Sequence, residues 1–439
     1  MKQDVLDRGF DEEALGRLPA GPAFLGALRA RALREYLALP IPSQDTEEWR
    51  YTDLSGLDLD LRPFVEGPRA ERAEDLPAEV LAAAGPASAR SGLRVQRDST
   101  TAFRELDPEL AERGVILEDL DRAAAEHPEL VEPALHALVT TDRTKFTALH
   151  GAFRTGGTFL YVPDGVVVPL PIEVVTRLET DGAAIFPHTL VVAGRDSEVT
   201  LIDRFSSPDL GRALADAVAE LHVGPAARVR YVSIQEWGEG VTHLGVQRAR
   251  LARDAEFRGV AVGFGASLAR AEAESILAEQ GATSEMLGVF FADDDQHFDH
   301  RTEQDHVAPN CTSDLLYKGA LRDASRGVFS GWVHVRPGAQ KTDAMQTSRN
   351  VILSESAFAR AIPNLEIEAN DVRCGHAASV GPVEEEQLFY LESRGIPRKE
   401  AERLIVFGFF NEVLERIAIE EVRAHVAAAI ERELARGDA

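Results

Sequence analysis

Cysteine is nearly absent from this sequence: Cys311 and Cys374 are the only two in 439 residues, 63 positions apart. A disulfide-stapled scaffold is thereby excluded, and the two thiols are expected to be free or to act as ligands. Positive charge is also scarce, with 47 Lys and Arg against 73 Asp and Glu, a formal charge of −26. Nucleic-acid binding rewards clustered cations through counterion release, so that class of partner is excluded. No run approaches about 18 uninterrupted apolar residues, so no membrane span is expected. The opening Met1-Lys2-Gln3-Asp4 has neither the basic nor the apolar region of a secretory leader, which predicts a cytoplasmic chain. A Walker A loop, a Gly-x-Ser-x-Gly elbow and a Gly-x-Gly-x-x-Gly after a strand are all missing; GFGASLAR near Gly263 reads only as a glycine-rich corner. Any nucleotide hydrolysis must come from another protein.

What is present divides into three textures. Residues 1–145 read mainly as helix and loop. PAFLGALRARALREYLALP has helical spacing and is ended by Pro40 and Pro42. DTEEWRYTDLSGL, with Trp49 and Tyr51, reads as a short strand or an anchored loop, and ERAEDLPAEVLAAAGPASARSG as a partly mobile connection. Across 146–380, short β-rich runs alternate with Gly-, Asp- and Ser-rich turns. The turns at Ser197, Ala226, Asp254, Ala282, Cys311 and Ala339 recur at roughly 28 to 30 residues. A steady step, strand-length runs and few hairpin turns predict a mainly β chain, a parallel β-helix rather than a sandwich. Residues 381–439 read as helices, opened by Pro382 and Pro397, with Phe410, Val413, Leu414 and Ile417 on one face. They are expected to cap the open end of the solenoid. Phe407, Phe409 and Phe410 exceed what one thin amphipathic face requires, which marks a docking surface.

Chemistry concentrates at Cys374-Gly375-His376. On a strand, i and i+2 share a face, so thiolate and imidazole form a half-site suited to iron or a cluster. A full site needs about four ligands, so the rest must come from a partner chain or the pair binds transiently. HFDHRTEQDH (His297, Asp299, His300, Asp305, His306) lacks metal-site spacing and reads as a solvated polar turn; Cys311 reads as a small residue in a tight corner. Asp293-Asp294-Asp295 keeps a carbohydrate-active β-helix enzyme as the alternative, and His297 with His300 a cupin-like one.

NDVRCGHAASVG, EEEQLFYLESRGI and the helix ending in GFF resemble the C-terminal signature of the SufD branch of the SufB/SufD family of iron–sulfur cluster assembly proteins. DTEEWRYTDLSGL resembles its N-terminal element, and the repeats resemble the family's right-handed β-helix. The resemblance implies a non-catalytic scaffold subunit that pairs with one SufB through the β-helices, in a complex with two copies of the SufC ATPase, which dock on the C-terminal helices of the two solenoid chains. A homodimer is left open for the isolated chain. The resemblance also implies a transient iron–sulfur cluster shared with SufB, with Cys374 and His376 as this chain's positions at the interface and no tightly bound group on the chain alone. Thr347 stands where the SufB branch carries a scaffold cysteine, which favours the SufD branch.

Overall fold

The recurring corner is a left-handed backbone step. Asp196, Ala226, Asp254, Asn310 and Lys341 have φ between +53° and +60°, and Gly281 takes the equivalent place at +82°. Asp, Asn and Gly tolerate this region with least steric cost. Each is followed by a small inward residue (Ser197, Ala227, Ala255, Ala282, Cys311, Thr342), all buried. Cys311 is therefore a corner residue of this stack, its Sγ 3.4 Å from the Glu279 carbonyl oxygen.

The structure, a computed structural model, describes residues 9–436, so the Met1–Asp4 stretch read above lies outside it. Between corners each turn contributes one strand to each of two sheets, giving a parallel β-solenoid of about 8 turns. One sheet runs from Thr100–Leu106 through Gly92–Arg97, Ile172–Arg177, Glu198–Ser206, Arg228–Glu236, Glu256–Gly263, Thr283–Ala292, Thr312–Leu321 and Asp343–Ile352 to Arg373–Pro382. The other runs from Ile116–Asp119 to Phe358–Ile367 and includes His297–His306 and Arg326–Val335. Successive strands pair at steps of 27 to 31 residues. In-register pairing stacks like positions into files. Ile172, Leu201, Tyr231, Gly259, Met286 and Leu315 form one inward file, and five of them are core residues.

Several expectations are corrected. The sheets begin at Gly92, inside the segment read as helix and loop, because Gly92–Arg97 pairs parallel with Ile172–Arg177. The Ala- and Pro-rich stretch is packed: its helix Ala78–Ala84 buries Val80 and Ala84, with Leu76, against Leu93 and Val175. DTEEWRYTDLSGL is an anchored loop with one 3₁₀ turn, Glu47–Trp49. Arg270 lies 3.8 Å over the Trp49 ring, and Thr52 donates to Asp299. HFDHRTEQDH is not a solvated turn but a strand with Phe298, His300, Thr302, Gln304 and His306 buried on its inward face.

The C-terminal region has three helices, Glu385–Ser393, Arg398–Leu414 and Glu420–Arg436. They do not cap the end. Phe410, Val413, Leu414, Ile417, Val422, Val426 and Ile430 pack sideways on the outer face of the first sheet, against Ile202, Val232, Val260, Leu287 and Leu316. That face is apolar where a solvated one would be polar, so it demands a cover along its length. No helix among the described residues is long and apolar enough to cross a membrane.

Candidate functional site: the open end of the solenoid

The last turn consists of Phe358–Ile367 and Arg373–Pro382, each the terminal strand of its sheet. Each pairs along one edge only, with Arg326–Val335 and Asp343–Ile352 respectively. Among the described residues no strand lies beside their outer edges, whose backbone groups form a template for pairing. Side chains that would be core in any other turn lie open here: Ile367 is 43% and Val380 40% exposed.

Cys374 and His376 sit on this turn. Register places His376 directly above Gln346 and Leu315, so it continues the file of Leu201 and Tyr231. Cys374 continues the neighbouring inward file through Ala344 and Ser313. The shared face expected from the i, i+2 spacing is thus the lumen face. His376 is exposed because nothing stacks above it, whereas Cys374 is half-buried against Val333, Val335 and Ala344. Burial, with the Asp343 carboxylate nearby, pushes the Cys374 thiol up, so it rests protonated near neutral pH and needs a metal or a partner's positive charge to become a thiolate. Thr347 lies between Leu316 and Ala377 in register, out of phase with the inward Gln346 and Ser348. It faces the side covered by the C-terminal helices.

Beneath the pair the lumen is polar. Gln304 Nε2 donates to Ser313 Oγ at 2.6 Å, and His306 Nε2 lies 2.8 Å from the same oxygen. Gln346 is fully buried with neither amide atom met by a protein partner, and Ser348 Oγ and Asn350 Oδ1 are in the same position. Gly331 makes room for it: a Cβ there would fall 1.7 Å from Gln346 Nε2. None of these polar residues was singled out from sequence except His306, whose inward direction was not.

The other expected positions divide. Phe410 is completely buried in the helix–sheet interface, and Phe407 and Phe409 are half-buried against the same cluster. The Phe409 carbonyl accepts from Lys318 Nζ at 2.6 Å. The exposed apolar residues of these helices are instead Phe389 (72%), Tyr390 and Leu404. Only Val383 and Glu384 separate the Arg373–Pro382 strand from the first of these helices. Asp293, Asp294 and Asp295 line a groove of about 1000 Å³, but Asp293 is paired with Arg322 at 3.3 Å, and Arg432 and Arg436 also line it. His297 and His300 point to opposite sides of their strand, which removes the cupin-like pair. A second ligand group that sequence spacing did not reveal, His334, Glu366 and Glu368, lies on the last two turns with its ligand atoms within 4.8 Å of one another.

Fold and site define a parallel β-solenoid that carries a thiol–imidazole pair in the lumen file of an uncovered last turn. Comparison with known proteins matches residues 176–409 to the SUF system FeS cluster assembly SufBD core domain and residues 98–174 to the SufBD protein N-terminal region. The chain is 34% identical to the iron–sulfur cluster assembly protein SufD of Bacillus subtilis over 94% of both chains. It is 36% identical to an iron–sulfur cluster assembly SufBD family protein of Mycobacterium tuberculosis over 90% of both, and 28% identical to one of Staphylococcus saprophyticus over 94% of this chain and 91% of that one. The chain belongs to the SufBD family of iron–sulfur cluster assembly proteins.

Proposed function

We propose that this chain is a cytoplasmic, non-catalytic scaffold subunit that joins a SufB-type solenoid through its open last turn. A nascent iron–sulfur cluster is then held transiently between the two chains, with His376, and Cys374 beside it, as this chain's contribution. The observation that carries the reading is the uncovered end itself: unpaired strand edges, exposed Ile367 and Val380, and two soft ligands in the same turn. A second solenoid would pair the edges, bury the apolar residues and complete the ligand set in one step. A SufC-type ATPase docks on the C-terminal helices, and the contact moves from the buried Phe410 to Phe389, Tyr390 and Leu404, which face outward. A two-residue connector passes movement of those helices to the strand of His376.

Co-expression with a SufB-type and a SufC-type partner, followed by subunit ratio and iron and sulfide content, tests this. His376→Ala should leave the complex assembled and lower its cluster content severalfold, with Cys374→Ser matching it only if the thiol ligates. Phe389→Ala with Tyr390→Ala should release the ATPase from an otherwise folded complex. A full cluster complement in the His376→Ala complex would remove His376 from the site.

A further inference from the structure

Far from the open end, three histidines from three separate segments meet in the interior. His188 lies on the outer face of the second sheet, in His188–Ala193, one strand from Glu220 in Ala213–Val223. His150 comes from the helix Lys145–Phe153, which packs over that face, and His136 from the loop before it. His150 and His188 are 0% and His136 6% exposed. Ring centres stand 5.5, 5.0 and 5.2 Å apart, and one nitrogen of each ring lies within 4.8 Å of one from each other ring.

Hydrogen bonding fixes which nitrogen of each ring is protonated. His136 Nδ1 is 2.9 Å from the Val139 carbonyl oxygen, His150 Nε2 3.3 Å from that of Pro187, and His188 Nε2 3.1 Å from the Glu220 carboxylate. Each partner is a pure acceptor, so each of these nitrogens must donate. The remaining nitrogens, His136 Nε2, His150 Nδ1 and His188 Nδ1, hold lone pairs and have no protein partner. Three buried lone pairs in one cluster, with no donor among them, repel one another unless a positive centre lies between them.

We propose that His136, His150 and His188 bind one divalent transition-metal ion of the imidazole-preferring class, zinc above all. Three imidazoles on one tetrahedral ion, at bonds of about 2.0–2.1 Å, place ring centres roughly 5 Å apart, the spacing observed. Each ligand ring has its outer N–H on a carbonyl or carboxylate, the arrangement that orients metal-bound histidine and raises its basicity. Glu220 supplies compensating charge. It also accepts from the backbone N–H groups of His136 (2.6 Å), Leu138 (2.6 Å) and Val139 (2.9 Å). The neighbouring Arg154 cation is met by Asp121 at 2.7 Å. The left-handed backbone of His136 (φ +56°) is held by the same carboxylate. The ion would fasten the N-terminal layer to the solenoid.

The full chain, unfolded in chelator and refolded with Co²⁺ or Zn²⁺, tests the site. One equivalent should bind, Co²⁺ should give the intense visible bands of a tetrahedral nitrogen site, and Zn²⁺ should raise the thermal midpoint. His150→Gln and His188→Gln should each lose that equivalent, and Glu220→Gln should weaken affinity by about 10–100-fold. The double variant Cys374→Ser/His376→Ala should retain it, which separates this site from the open end. No stoichiometric ion in the refolded wild type, or an ion retained by the His150 and His188 variants, overturns the proposal. The wild-type result decides even where a variant fails to fold.

Discussion

At the level of Leu201 and Tyr231 the solenoid lumen is filled by Val191, Val199, Leu221, Val229 and Phe257, packed in register. Where a carboxylate enters, at Asp203, the hydroxyls of Thr189 and Tyr231 lie 2.7 and 3.0 Å from it. Two turns from the C-terminal end the lumen holds Ser313, Gln304, Gln346 and Ser348, and the side chains of Gln346 and Ser348 have no protein partner. The ends differ in the same sense. The N-terminal end is closed by antiparallel strands, with the buried Arg94 on Asp119 and the Thr158 hydroxyl, whereas the last turn is open. Apolar stacking alone is enough to stabilise a solenoid, so the polar turns are not required by the fold. They lie directly under Cys374 and His376.

The strongest way to break the contrast is to put a charge into the dry half. Leu201→Asp should cost roughly 3 kcal/mol or more, since a buried carboxyl there finds no partner and the lost side chain leaves its file unfilled. Denaturant unfolding would read this as a lowered midpoint. An unchanged midpoint would mean that the N-terminal lumen already admits water.

The fold is most legible at its corners, in both halves. Its corners could be aligned by eye because the left-handed step recurs with a small residue after it, so the period and the solenoid followed. Polar inward positions hid the rest. HFDHRTEQDH was assigned to a turn because alternation of apolar and polar residues is the usual strand signal, and here the inward set is itself largely polar. Arg94 and Gln96 concealed the Gly92–Arg97 strand in the same way. Phe410 was readable as an aromatic on a helix face but not as buried, because a helix sequence does not say which surface it will cover. The Cys374–His376 pair was legible because its members are neighbours in sequence. The His136, His150 and His188 cluster was not, since only the fold brings those segments together.

Buried histidines of the polar turns add a dependence on pH. In the polar turns, burial holds His300 and His306 at about 4, against 6.5 for an unburied imidazole. The unfolded chain therefore takes up these protons first as pH falls. The contribution of these two histidines is at its full value above about pH 6.5, declines between 6.5 and 4, and levels off once the folded state also protonates. Each histidine contributes on the order of 3 kcal/mol to that decline. His300→Phe, which keeps a ring against Phe290 at 4.6 Å, should flatten the decline between those limits by its share. Urea midpoints measured from pH 7 to 4 would show it, and an unaltered slope would mean that His300 is hydrated.

The smallest expected change is at Gln346, and it bears most directly on why the lower lumen is polar. This side chain sits between Leu315 and His376 in the file, fully buried, with Gly331 opposite to admit its amide. If the turn is as dry as the one around Leu201, an unmet amide is a standing cost of about 1–3 kcal/mol. Gln346→Met, close in length and volume, should then raise stability by on the order of 1 kcal/mol, because it removes that cost while leaving the contact with Gly331. If water enters from the open end and satisfies the amide, the same substitution should leave the midpoint unchanged or slightly lower it. Thermal unfolding of the isolated chain and of a complex with the proposed SufB-type partner separates the two. A gain seen only in the complex means that the partner seals the lumen and strips that water. A loss comparable to that of Leu201→Asp in both states would make the amide structural and erase the difference between the two halves.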